Sequence, residues 1–388
     1  MKKTIALLLC LVLTLSIFAG CAQQAKNPDE TQTQTENNVA ETSTDPINGS
    51  EENPENKTDD ELPVVRYGAF LNMLKSSLVY IATEKGFDVD EGVKIELVNV
   101  SASADALTSI ITEKDEIDLW GMQIMPTTTF IGNGADLVIF GGNAAEGGAM
   151  IATKGTAQQY RDDLENLKGK TVLGIRGETG ILAMMSKLVD LGFDINEDIT
   201  IRWADAPSVL EGVAKGEADV GFLPIEWTYF GDDINAEVVY QLGEVLENYI
   251  CCRMTTSGKI LEEKRDELVK VLKAEIRAYK FMKENKEETV KILTEYSGQD
   301  KDFVEKNIYD VRISFIPDPY ADAIEPFYNV MGIMNFFESE DAKDIDIMDH
   351  VDVSLYKDAL DEIIAENPND PVYQELLEIY NRQNSKVK

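Results

Sequence analysis

A chain of 388 residues with 44% hydrophobic content carries enough apolar material for one large or two medium globular domains, which excludes disorder throughout. Its 36 Lys and Arg against 71 Asp and Glu leave a formal net charge of −35, so nucleic acid and anionic membrane surfaces are poor partners, and no Lys/Arg cluster offsets the imbalance. With a single histidine, His350, and no GxSxG elbow, P-loop or HExxH, no catalytic constellation, metal site or cofactor motif is legible, and an enzyme is not expected.

Lys2 and Lys3 precede an apolar run, Ile5 to Phe18, too short for a membrane span, and Phe18-Ala19-Gly20-Cys21 supplies small residues before a cysteine. The ending resembles a bacterial lipobox, with Phe18 where Leu is usual. That implies a signal peptide over 1–20, lipidation of Cys21 and anchorage at the outer face of a bacterial cell membrane; an ordinary secretory signal with a chance cysteine is the alternative. From Ala22 to Leu62 there are eleven acidic residues, two lysines and almost nothing apolar, so residues 21–62 read as a lipidated cysteine followed by a disordered tether.

The folded body opens at Pro63. Val64 to Ala69 reads as a buried strand, Phe70 to Ser77 as a loop and helix start presenting Asn72 and Ser76, and Leu78 to Gly86 as the helix. Strand Val93–Val98 and helix Asp105–Lys114 follow. Strand Ile117–Gly121 delivers Met122 and Gln123, a helix starts near Pro126, and strand Leu137–Phe140 ends at Gly141-Gly142-Asn143. Ala149 to Thr153 reads as the crossing into a second lobe.

Thr171 to Thr179, TVLGIRGET, is an apolar strand running into a glycine-bearing loop and a helix over Gly180–Leu191, whose start offers unpaired N–H groups to a small polar ligand. The design occurs twice. Gly86-Phe87-Asp88-Val89-Asp90-Glu91 matches Gly192-Phe193-Asp194-Ile195-Asn196-Glu197, and the flanking strands correspond as well. Two βαβαβ units of one design imply two similar lobes with ligand-facing loops opposed across a cleft. Strand Asp219–Phe222 ends in a loop bearing Glu226 and Trp227, a carboxylate and an aromatic plate.

The order "LVYIATEKGFDVDEGVKIELV", "EIDLWGM", "GADLVIFGGNAAEGGAMIA", "LENLKGKTVLGIRGETG" and "GVAKGEADVGFLP" resembles the ABC-importer solute-binding proteins that take up nitrate, sulfonates, taurine and thiamine-pyrimidine precursors. The resemblance spans about Val64 to Lys283. It implies an α/β, two-lobed periplasmic-binding-protein type II fold, with 63–152 plus 242–388 as lobe 1 and 153–241 as lobe 2. It also implies capture of a small-molecule solute, delivery to an ABC permease and its ATPase, and a monomeric receptor. The pyrimidine-synthesising relatives of this fold carry a histidine-bearing loop after the first strand; this chain has Asn72 and Lys75 there.

The candidate ligand-binding residues are therefore Asn72, Ser76, Met122, Gln123, Asn143, Arg176, Gly177, Glu178, Thr179, Glu226 and Trp227. Two helix N-termini with Arg176 suit a small anion such as a sulfonate or nitrate, whereas Glu178 and Glu226 suit an amine-bearing heteroaromatic such as an aminopyrimidine stacked on Trp227, the reading favoured. A scaffold lipoprotein without a ligand predicts loops lacking convergent polar groups.

Return strand Tyr249–Thr255 carries Cys251 and Cys252, read as free thiols on opposite faces; a strained vicinal disulfide is the alternative, and zinc lacks further ligands. Leu261–Lys283, Thr289–Tyr296, Asp302–Tyr309, Ala321–Phe337 and Val372–Arg382 read as helices of a C-terminal extension packed on lobe 1, and His350 as a surface residue.

Overall fold

The structure, a computed structural model, describes residues 62–387 except positions 115 and 312; the expected signal peptide, Cys21 and the tether up to residue 61 lie outside the described residues. In chain order the strands are β1 (Val64–Ala69), β2 (Lys94–Asn99), β3 (Leu119–Trp120), β4 (Leu137–Glu146), β5 (Gly148–Thr153), β6 (Lys170–Gly174), β7 (Ile199–Trp203), β8 (Val220–Pro224), β9 (Ala236–Gln241), β10 (Ile250–Ser257) and β11 (Ile313–Phe315). They form two sheets. One has the order β11-β4-β10-β3-β1-β2, the other β7-β6-β8-β5-β9.

In the first sheet β1 pairs in parallel with both β2 and β3, which makes it an interior strand, and Val65, Tyr67 and Ala69 on one of its faces are fully buried. The crossover from β1 to β2 is the helix Ser77–Glu84, which buries Leu78, Val79, Ile81 and Ala82 and packs on the long helix Arg265–Glu284. The second sheet repeats the scheme: β6 is parallel to β7 and β8, and the helix Thr179–Asp190 connects β6 to β7. β5 and β9 complete it in antiparallel pairing.

Two glycine signals carry a different meaning from the one expected. Gly141 and Gly142 do not end β4, which runs on through Asn143 to Glu146. A Cβ on Gly142 would stand 2.0 Å from the Asp318 carbonyl oxygen, and its N–H donates to the Pro317 carbonyl at 2.7 Å, so the glycine admits a neighbouring backbone. Ala149 to Thr153 lies within β5 of the second sheet; the chain passes between sheets at Glu146 (φ 60°) and Gly147 (φ 82°), where left-handed backbone turns it.

The C-terminal helices are present with altered bounds. The expected Ala321–Phe337 helix is a short 3-10 turn, Ala321–Ala323, followed by Ile324–Ile333. The helix Ser354–Glu366, which was not expected, packs on Arg265–Glu284 and buries Leu355, Tyr356, Ala359, Leu360 and Ile363. His350 is half-buried rather than on the surface, with Nδ1 2.8 Å from the Leu137 carbonyl oxygen.

Candidate functional site

After β1 the chain turns through Asn72, whose φ of 65° an asparagine tolerates, and a 3-10 turn Leu74–Ser76 leads directly into the helix Ser77–Glu84. That turn brings Lys75 to the C-terminal end of β1, where open α/β sheets bind ligands. In the second sheet β8 ends at Pro224, and the Ile225 N–H donates to the Gly147 carbonyl at 2.9 Å, fixing the loop that carries Glu226. Asn72, Lys75, Ile225 and Glu226 line one cavity of about 160 Å³, closed from the C-terminal side by Phe303, Asn307 and their neighbours.

Lys75 forms no hydrogen bond or ion pair with a described residue. Burial opposes its charge, but Cys251, Glu226, Cys252 and Glu178 outweigh that and hold the ammonium charged. Beneath it β10 bulges: Ile250 is opposite Ala145 while Cys252 is opposite Ala144, leaving Cys251 as the extra residue. The two thiols are free, but the bulge overturns the expectation of opposite faces, since their sulfurs are 3.2 Å apart. The hydrogen bond with Cys252, then the Lys75 ammonium and the Thr179 hydroxyl, pull the Cys251 thiol down to about 6, and Cys252 is pushed up in response.

Glu178 is the N-cap of the helix Thr179–Asp190, and its carboxylate accepts from the N–H groups of Gly180 at 2.9 Å and Ile181 at 2.8 Å. Burial raises its pKa above the ordinary carboxylate value, against the pull of these two amides and of Lys75. The helix start expected to receive a ligand is occupied by the chain's own carboxylate.

The remaining candidates divide by position. Thr179 and Glu178 stand with Lys75 and Cys251; Asn72 and Glu226 line the cavity. Ser76 donates to the Phe70 carbonyl at 3.1 Å and to Met122 Sδ at 3.4 Å, so both are buried supports of the β1 turn. Gln123 stands at the N-cap position of the helix Ile124–Gly132 without its side chain capping it, and its Oε1 accepts from Ser103 Oγ at 3.5 Å. Asn143 is fully buried and donates to the Gly121 carbonyl at 2.6 Å. Arg176 is exposed, its guanidinium 5.0 Å from the centroid of Phe336. Gly177, with φ 101°, approaches Met125, and Trp227 packs against the apolar cluster of Ile151, Val209 and Leu210 rather than lining the cavity.

Lys75, Cys251, Phe303 and Asn307 were absent from the sequence-based candidates. Lys75 was legible as the one cation in the β1 loop; Phe303 and Asn307 belong to a C-terminal segment whose return to the site has no sequence signal. Among the described residues no group of three or more His, Cys, Asp or Glu is placed to hold a metal ion.

The Bacillus subtilis (strain 168) protein YtlA, which carries the name of a binding protein, is 26% identical over 284 residues, covering 69% of this chain and 82% of YtlA. Among solved structures, the nitrate-binding protein NrtA of Synechocystis PCC 6803 superposes with a TM-score of 0.60 at 14% identity, covering 78% of this chain and 89% of its own. The aliphatic sulphonate binding protein SsuA of Escherichia coli does so with 0.60 at 15% identity, covering 76% and 99%. These likenesses carry the fold, an α/β, two-sheet periplasmic-binding-protein fold with C-terminal helices. The family profile described as NMT1/THI5 like matches residues 74–289, more than half of the 388, and the chain belongs to that family.

Proposed function

We propose that this protein is the solute-binding component of an ABC importer, not an enzyme, and that it takes a small heteroaromatic bearing an amine, such as an aminopyrimidine or thiamine precursor. The carrying observation is that Lys75, from the loop after β1, and Glu226, from the loop after β8, line one cavity and attract each other there without a direct hydrogen bond or close ion pair. A charged donor and a charged acceptor side by side match a ring edge on which a ring nitrogen accepts and an exocyclic amine donates. Phe303 and Ile225 supply apolar walls.

On this reading residues 63–147 plus 242–388 form one lobe and 148–241 the other, the boundary lying five residues before the expected one because β5 belongs to the second sheet, and closure about their two connections brings Glu226 to Lys75. Residues 1–20 are the signal peptide, Cys21 carries the lipid, 21–62 is the tether, and the closed monomer docks on a membrane permease with its ATPase. A second reading, a small anion such as a sulfonate or nitrate, is favoured by the helix starts at Met73 and Gln123, which have no side-chain cap, together with Lys75.

A thermal-shift screen against aminopyrimidines, sulfonates, nitrate and small amines, followed by calorimetric titration, tests both. A ligand at a hundred times its dissociation constant should stabilise by about 2.7 kcal/mol. An aminopyrimidine hit supports the first reading and an anion hit replaces it with the second. No hit from folded protein freed of carried-over ligand would overturn both and favour a scaffold lipoprotein.

A further inference from the structure

The geometry points to Cys251 and Cys252 as a dithiol that a hydroperoxide oxidises to a vicinal disulfide, making the buried β10 bulge beside Lys75 a modification site. The inference is independent of which solute the cavity takes. Three observations carry it. The bulge in β10 turns two sequence-adjacent thiols toward each other, with sulfurs 3.2 Å apart and no disulfide between them. Cys251 adjoins the ammonium of Lys75 and the hydroxyl of Thr179, an electropositive, hydrogen-bonding surrounding of the kind that makes a thiol nucleophilic. Both thiols are buried and neither lines the cavity, but Lys75, which does, acts directly on Cys251, so a flexible side chain adjoins both the cavity and the sulfur.

The Cys251 thiol gives up its proton, the thiolate attacks one oxygen of hydrogen peroxide, the O–O bond breaks, the departing hydroxide takes up that proton as water, and Cys251 becomes a sulfenic acid. The Cys252 sulfur then attacks the Cys251 sulfur, the S–O bond breaks, and the departing hydroxide takes the Cys252 proton to form water. In sum two thiols and one hydrogen peroxide give one disulfide and two waters, the peroxide being the two-electron oxidant. Adjacent Cα atoms stand only about 3.8 Å apart, below the usual disulfide span, so the product is strained and readily reduced, as labile rather than structural disulfides are. Oxidation also removes the Cys251 negative charge from beside Lys75, which changes the charge balance of the cavity wall.

The test treats the reduced full-length protein with hydrogen peroxide and maps the peptide containing both cysteines by mass. Loss of two hydrogens from that peptide, reversed by dithiothreitol, is the expected result. Oxygen addition at Cys251 without hydrogen loss, or continued alkylation of both thiols by iodoacetamide, would overturn the proposal. A second arm traps sulfenic acid with dimedone in wild type and in Cys252→Ser. The variant should accumulate the dimedone adduct at Cys251 while wild type does not; equal trapping in both means Cys252 does not resolve the intermediate and the proposal fails. Should Cys252→Ser fail to fold, the wild-type mass result decides alone.

Discussion

Glu178 accepts a hydrogen bond from the backbone N–H of Ile181 at 2.8 Å, so the residue that opens the helix Thr179–Asp190 also closes its N-terminus. A carboxylate already satisfies the amides that an anionic ligand would need at this helix start, and its negative charge repels one. Glu178→Ala should lower unfolding stability by about 1–2 kcal/mol, the usual cost of a lost N-cap, while Glu178→Gln, which keeps one acceptor, should cost less. The same Ala variant should bind nitrate or sulfonate better than wild type. Urea denaturation and anion titration read both effects; a stability equal to wild type would remove the capping role.

Lys75 faces the cavity above the Cys251 thiol. Lys75→Met keeps the stem but removes the ammonium that offsets the charges of Glu226, Glu178 and Cys251, so the fold should survive with a modestly lower melting temperature. Loss of a charged hydrogen bond to the proposed solute should weaken binding roughly ten- to a hundredfold. The variant also reports on Cys251. In wild type its thiolate should be present above about pH 6 and protonated below, seen as the half-point of the iodoacetamide alkylation rate. Because the Cys252 hydrogen bond is the larger cause and Lys75 a smaller one, Lys75→Met should move that half-point upward only in part. An unmoved profile separates Lys75 from the thiols.

Glu226 distinguishes the two solute readings. Replacement by Gln removes the negative charge but keeps an acceptor oxygen. Affinity for an aminopyrimidine should fall and affinity for a sulfonate should rise, both by calorimetry. No change with either class of ligand would take Glu226 out of the site.

The repeated strand-loop-helix design was legible because apolar runs and turn residues sit at matching positions in both halves, and both sheets follow it. The part of the site that was legible is the part built on strand ends: Asn72 and Glu226 were placed by the rule that ligands meet the C-terminal ends of parallel strands. What was not legible depends on contacts distant in sequence. Phe303 reaches the cavity from a helix whose local pattern shows only an amphipathic segment. The bulge that pairs Cys251 with Cys252 depends on the β4 register, which neither residue encodes. Arg176 was drawn to the site by its charge, yet the aromatic face of Phe336, from the C-terminal segment, holds it at the surface.

Gly177 sets the backbone of the loop after β6. A Cβ there would meet Met125 Sδ only at 3.7 Å, an ordinary contact, so the room exists and the constraint lies in the φ of 101°. Gly177→Ala should therefore cost about 1–2 kcal/mol, and Gly177→Leu little more. Solute affinity should drop with both, because the loop positions Glu178 and Thr179. If Ala is neutral and Leu severe, crowding rather than backbone strain governs the loop.

Asp318 ties the end of the last helix back to the segment that precedes Ala321. Both its carboxylate oxygens accept from Asn384 Nδ2, at 3.0 and 3.1 Å, while Asn384 Oδ1 accepts from the Ala321 N–H at 3.0 Å. Burial raises the carboxyl from 3.8 to about 6, against the opposing hydrogen bonds from Asn384 and Tyr320 and the charge of Arg253. The fold thus prefers the protonated acid. Its stabilising contribution is complete below the unfolded value near 3.8 and is lost as pH rises through about 6, a change on the order of 3 kcal/mol. Asp318→Asn is neutral at every pH and lacks this dependence. The stability of the variant relative to wild type should therefore improve steadily from pH 4 to pH 7, measured as the difference between their urea midpoints. A difference that stays flat across that window would mean that Asp318 remains ionised in the folded protein, with Arg253 prevailing over burial.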